Sequence, residues 1–179
     1  MDKMPEQFEF PWQHSFPPFF TLQPHSETRA RQISVWRALI LDYFRFAKTC
    51  TLDIREASHH PLFNNASINR KLDNEFILAA LSDLQRTQNA APVDKQRHRW
   101  EIYWHTLEEW GNLIYNYVTN RGATGSVLTL FELTQGEDVQ DEEFCGLETD
   151  VLVKALRVLE GEGKCEVITS DDLEGVKFF

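Results

Sequence analysis

One order of elements occurs twice in this chain, and that repetition constrains the fold more than any single motif. In the first copy, Ile33, Trp36, Ile40, Tyr43, Phe44 and Ala47 recur at helical spacing, which predicts an amphipathic helix from about Glu27 to Thr49. Thr51-Leu52-Asp53-Ile54 reads as a short strand. Pro61 breaks the chain, Leu62 to Leu72 reads as a second helical region, and Asp73 is the N-cap of a third helix carrying Phe76, Ile77, Ala80, Leu81 and Leu84. Ala91-Pro92-Val93 and Trp100 to Trp104, on either side of the polar turn Asp94 to Arg99, read as a β-hairpin.

The second copy begins at Thr106-Leu107-Glu108-Glu109, a capping box. Trp110, Leu113, Ile114, Tyr117 and Val118 then mark a helix that stops before Gly122. Val127-Leu128-Thr129 is strand-like, Phe131-Glu132-Leu133 begins a short helix, and Leu147 to Leu159 carries Leu152, Ala155, Leu156 and Leu159 on one face. Cys165 to Ile168, the turn Ser170 to Gly175 and Val176 to Phe179 close the copy as a second hairpin. Helix, short strand, helix-turn-helix and hairpin is the layout of a winged-helix domain. The expected fold class is therefore α+β and helix-rich: two tandem winged-helix domains, residues 26–105 and 106–179, joined with almost no linker.

Residues 1–25 lie outside both copies. From Phe8 to Pro24 they read FEFPWQHSFPPFFTLQP, and Phe16-Pro17-Pro18-Phe19-Phe20 is their centre. Proline fixes φ and removes a donor, so this segment is expected to be extended or polyproline-like. Its aromatics can fold back on the following domain or insert into a partner's groove, and both uses stay open.

The net charge of -10 is unevenly placed. Residues 1–106 hold 13 Lys and Arg against 12 Asp and Glu, whereas residues 107–179 hold 5 against 16. The second half would repel phosphate and attract a basic partner. Nucleic-acid binding is the rival function for a winged helix, but phosphate contacts dominate such affinity. The third helices bear Asp73, Glu75, Asp83 and Arg86, and Glu148, Asp150, Lys154, Arg157, Glu160 and Glu162, which argue against it; the turn Lys95, Arg97, His98, Arg99 is the best remaining candidate for binding an anion. No apolar run reaches the ~18 residues of a membrane span, and Asp2, Glu6 and Glu9 do not make a signal-peptide start, so a cytoplasmic location is expected.

Signals for catalysis are weak. His59-His60 lacks further ligands at metal spacing, and Asp171-Asp172-Leu173-Glu174-Gly175 fits a wing turn better than a calcium loop. Cys50, Cys145 and Cys165 are odd in number and widely spaced, as in a reduced protein. No nucleophile, metal site or cofactor cradle is expected. The densest charge run, Glu137-Asp138-Val139-Gln140-Asp141-Glu142-Glu143, precedes Phe144, and an acidic rim beside apolar residues would suit a basic amphipathic helix.

Several separated motifs carry a resemblance that spans essentially the whole chain. They are Pro11 to Pro24 (PWQHSFPPFFTLQP), Pro61 to Asn65 (PLFNN) with Arg70-Lys71-Leu72, Glu108-Glu109-Trp110-Gly111 with Leu113-Ile114-Tyr115, Thr129 to Leu147 (TLFELTQGEDVQDEEFCGL) and Gly175 to Phe179 (GVKFF). Together they resemble the smallest subunit of the ESCRT-II complex, the vacuolar protein sorting twenty-five family. The resemblance implies a non-enzymatic adaptor, present in two copies beside one copy each of two other subunits, that sorts ubiquitinated cargo at endosomal membranes. It further implies an anchor for those subunits at Phe16, Pro17, Pro18, Phe19 and Phe20, and recruitment of the first ESCRT-III subunit by the second winged helix. Charge and position put Phe131, Asp138, Glu142 and Phe144 against the basic helix of that subunit.

Overall fold

The computed structural model describes residues 7–179; the parts of the N-terminal segment at residues 1–6, including Asp2 and Glu6, lie outside the described residues. The chain divides into two compact units. The first takes the chain up to Ala47 together with Thr51–Trp104, and the second takes Lys48–Cys50 together with His105–Phe179.

In the first unit, α1 (Ser26–Ala47) buries Trp36, Leu39, Ile40 and Phe44. After β1 (Thr51–Asp53), the expected helix over Leu62 to Leu72 is absent. Two short strands, β2 (Asn64–Asn65) and β3 (Arg70–Lys71), flank a 3-10 turn at Ala66–Ile68 instead. The asparagines explain the difference, because their short polar side chains compete with helix hydrogen bonds. Asn65 Oδ1 accepts from Ser67 N at 3.1 Å, Asn64 Nδ2 donates to the Ser58 carbonyl at 2.9 Å, and Asn69 takes a left-handed φ of 51°. Asp73 caps α2 (Asn74–Arg86) by accepting from Phe76 N at 2.7 Å, as its position predicts. β4 (Ala90–Pro92) and β5 (Arg99–Ile102) form the hairpin, and β1 joins it to give the antiparallel order β1-β5-β4.

The second unit repeats this plan. Thr106 and Glu109 form the expected capping box of α3 (Leu107–Asn120), and a second box, Thr129 with Glu132, starts α4 (Leu130–Gln135) directly after β6 (Val127–Thr129). α5 (Thr149–Gly161) packs along α3. Gly111 permits that approach, because a Cβ there would lie 3.1 Å from Leu159 Cγ and 3.2 Å from the Ala155 carbonyl oxygen. Glu148, which precedes α5, accepts from Thr49 Oγ1 at 3.2 Å and Cys50 N at 3.1 Å, and so holds Lys48–Cys50 within this unit. β7 (Cys165–Ser170) and β8 (Leu173–Phe178) complete the antiparallel order β6-β8-β7. Ser170 pairs with Leu173, so the turn is the two residues Asp171-Asp172 and is tighter than the sequence suggests.

Candidate partner-binding sites

The proline-aromatic segment is a strap on the first unit, and its prolines do not make it continuously extended. Trp12–Ser15 and Pro17–Phe20 each form a 3-10 turn, separated by an extended Phe16. Proline suits the first position of such a turn, where the missing donor is not needed. Helix α1 fastens the strap by polar bonds as well as by packing. Trp36 Nε1 donates to the Phe19 carbonyl at 3.0 Å. Gln32 Nε2 lies within 3.2 Å of the Pro18, Phe19 and Thr21 carbonyls, while Gln32 Oε1 accepts from Gln23 N at 3.1 Å. Arg29 donates from Nε to the Gln23 carbonyl and from Nη2 to the Pro24 carbonyl.

Of the two uses open to the segment's aromatics, Phe19 and Phe20 take the first and fold back on the unit that follows. Phe19 and Phe20 are only 5% and 4% exposed and belong to the core of the first unit, so that unit does not complete its fold without the segment. Phe19 stacks on Trp36 with ring centroids 4.4 Å apart and 4° between planes, and Phe20 meets the same indole edge-on at 5.4 Å. The physical reason is area: two phenyl rings beside an apolar helix face gain more from burial than from water, roughly 2 to 3 kcal/mol each. Among the five anchor residues, Phe16 and Pro18 remain exposed and Pro17 is half-buried.

What the strap presents outward is a different pair of rings. Trp12 is 70% and Phe16 48% exposed, tilted together at 5.7 Å. They border a cleft of about 660 Å³ whose other walls are Pro18, Phe19, Val35 and the polar side chains of Thr28, Arg31 and Gln32. An apolar floor with a few polar groups at its margin is the usual form of a peptide or side-chain receptor. Trp12 lies within the quoted Pro11–Pro24 motif, yet sequence alone gave no way to tell inward from outward rings.

In the second unit, the four residues expected to meet a basic helix are not brought together. Phe144 is 1% exposed, packed edge-on to Tyr117 at 5.3 Å, and is a core residue rather than a contact. Hydrophobic burial decided its place, since it is the aromatic side chain that directly follows the acid run. Asp138 is exposed at the surface, where Arg121 Nη1 approaches Oδ1 at 3.8 Å and Nη2 donates to its carbonyl at 3.3 Å. Glu142 is half-buried. Phe131, in contrast, is 64% exposed and borders a cleft of about 500 Å³. Its opposite side is the β7–β8 turn with Asp171, Asp172, Leu173 and Glu174, and Thr149 at the start of α5 lines it as well. Forty residues of sequence separate Phe131 from that turn, which hid the pairing.

In the basic wing of the first unit Lys95, Arg97 and Arg99 are exposed, with the Arg97 guanidinium engaged and the backbone of the turn tied by Asp94. Arg97 donates to Gln85 at 2.9 Å and lies 5.0 Å from the Trp100 ring, and Asp94 Oδ1 accepts from His98 N and Arg99 N. His59 closes a 3-10 turn, and His60 packs between Tyr43, Phe44 and Phe63. Among the described residues no group of three His, Cys, Asp or Glu side chains converges as a metal site, and no helix is long and apolar enough to cross a membrane.

Comparison with known proteins gives a consistent answer. A family model for ESCRT-II complex subunits matches residues 13–148. Vacuolar protein-sorting-associated protein 25 of Drosophila melanogaster is 46% identical over 97% of this chain and 99% of its own length, and that of Homo sapiens is 47% identical over 98% and 100%. The crystal structure of subunit VPS25 of the endosomal trafficking complex ESCRT-II superposes with a TM-score of 0.83 at 27% identity, covering 93% of this chain and 97% of that one. A chain in the crystal structure of endosomal complex ESCRT-II (VPS22/VPS25/VPS36) gives 0.81 at 27% identity, over 94% and 98%.

Proposed function

This chain belongs to the family of ESCRT-II complex subunits, proteins of an endosomal trafficking complex, and we propose that it is a non-enzymatic adaptor with two working faces. The strap and α1 of the first unit dock it on the two other ESCRT-II subunits, with two copies of this chain in each complex. The second unit engages the basic N-terminal helix of the first ESCRT-III subunit. Membrane association is indirect, through the complex, and the protein moves from cytoplasm to endosomal membrane with it.

One observation carries the docking reading: Trp12 and Phe16 are large, exposed and set beside an apolar cleft, although Phe19 and Phe20 of the same strap are buried. Binding energy at interfaces concentrates in such rings, at roughly 2 kcal/mol or more for a hot-spot aromatic. Trp12→Ala with Phe16→Ala is therefore expected to weaken capture by the other two subunits by about a hundredfold or more, with the chain still folded. Co-purification at wild-type yield would defeat the reading. The earlier candidates Phe19 and Phe20 act from beneath, by holding the strap in place.

The cleft beside Phe131 supports the second face. Phe131 and Leu173 offer an apolar floor, and Asp171, Asp172 and Glu174 surround it with negative charge, a match for a helix with one apolar stripe flanked by Lys or Arg. The expected contacts are thus Phe131, Leu173 and the wing acids, with Asp138 and Glu142 contributing long-range attraction only. Calorimetric titration of the full chain with a basic amphipathic peptide should show affinity that falls as salt rises, because exposed charges are screened over about 8–10 Å. Affinity indifferent to salt would remove the acids from the interface.

A further inference from the structure

We propose that His14 and His60 form a pH-sensitive clamp that fastens the strap to the first unit and releases it, with the Trp12–Phe16 cleft, on acidification. The clamp itself is independent of any partner; its consequence for assembly rests on the docking reading above.

Both imidazoles act on one residue, Leu62. His14 Nε2 donates to the Leu62 carbonyl at 3.0 Å, and Leu62 N donates to His60 Nδ1 at 3.2 Å. Each bond fixes a proton. His14 must carry hydrogen on Nε2, because a carbonyl only accepts. His60 must lack hydrogen on Nδ1, because a backbone N–H only donates. The second nitrogen of His14 faces another donor: Asn65 Nδ2 approaches Nδ1 at 3.5 Å while donating to the His14 carbonyl at 2.7 Å. The amide of Asn65 cannot turn to accommodate a proton there, since its Oδ1 already accepts from Ser67 N and Ser67 Oγ. Neutral imidazole fits at both positions, and imidazolium fits at neither.

The surroundings reinforce this. His14 is 4% exposed, stacked on Phe10 at 4.0 Å, edge-on to Phe20 at 5.4 Å and facing Trp36 of α1 at 6.5 Å. His60 stacks on Phe44 and touches Tyr43 and Phe63. Tyr43 of α1 stands edge-on to His60 at 5.2 Å, and neither ring is hydrogen-bonded to a carboxylate among the described residues. Burial holds the His14 pKa below its ordinary value, against an opposing pull from the Leu62 and Pro61 carbonyls, and burial alone lowers that of His60. Both shifts have one sign. The released strap binds protons more readily than the clamped one, so clamping is at full strength above the ordinary histidine pKa of about 6.5 and weakens as pH falls below it.

The test uses the full chain alone. Hydrogen exchange, corrected for the intrinsic pH dependence, is expected to rise about tenfold in residues 8–24 between pH 7.5 and pH 5.5, with α5, β7 and β8 unchanged. His14→Gln, which keeps a donor for Leu62 but does not titrate, is expected to reduce that rise. Titration of the histidine rings of the unmodified protein by NMR needs no variant, and should find His14 and His60 both below 6.5. Strap exchange that is equal at the two pH values, or a His14 that titrates at or above 6.5, would overturn the clamp. Capture by the other two ESCRT-II subunits at pH 7.5 separately tests the docking reading, so the two proposals fail by different measurements.

Discussion

The two units share one topology and fill it differently. Each sets a short first strand against the second strand of a terminal hairpin, as β1-β5-β4 and as β6-β8-β7. The first unit then borrows Phe19 and Phe20 from outside the repeated series to cover Trp36. The second unit takes Lys48–Cys50 from outside its own copy, held through Glu148, but closes its interior with its own side chains: α3 and α5 approach closely at Gly111, and Phe178 of its last strand is fully buried. A repeat of elements therefore fixes the path of the chain without fixing which residues complete each interior. The strap that fills one core with Phe19 and Phe20 also leaves Trp12 and Phe16 exposed, so packing and the proposed docking meet in one segment.

Removing the borrowed rings gives the largest expected effect. Truncating one buried Phe costs about 3 to 5 kcal/mol, and Phe19→Ala with Phe20→Ala removes two neighbours from one cluster, so their effects will not simply add. Hydrogen exchange should show protection lost in α1, α2 and β5 and kept in α3 and α5. A double variant with wild-type protection in the first unit would mean that the strap is an appendage after all. Gly111→Val is the mirror experiment. A branched side chain would meet the Ala155 carbonyl and Leu159, and overpacking of this kind costs about 1 to 3 kcal/mol. Here α3 and α5 should lose protection while the first unit keeps it.

Much of the fold was legible because its signals are local. Asp73 and the Thr106–Glu109 box announce helix starts within four residues, and α1, α2, α3 and α5 show apolar positions at helical spacing. The Leu62 to Leu72 region failed for a local reason of another kind: its asparagines bond to nearby backbone and hold turns in place of a helix. The sites were less legible because they depend on facing. Phe16, Phe19, Trp12 and Phe20 are equivalent as sequence, and only the two 3-10 turns divide them into outward and inward pairs. Likewise Phe131 and Phe144 both flank the acid run, but the run folds back so that one borders the wing cleft and the other joins the core.

The smallest expected effect is the sharpest test of that division. Trp12→Ala removes the largest side chain of the strap, yet most of that ring is in water already, so its loss should change unfolding free energy by no more than about 0.5 kcal/mol. The strap bonds from Trp36, Gln32 and Arg29 do not involve the Trp12 side chain and should survive. A denaturant midpoint within error of wild type, combined with weakened capture by the other two subunits, would place Trp12 in the interface and Phe19 beneath it. A clear drop in midpoint would instead show that the Trp12–Phe16 pair supports the strap itself, and the line between packing residues and binding residues would have to be redrawn one turn further toward the N-terminus.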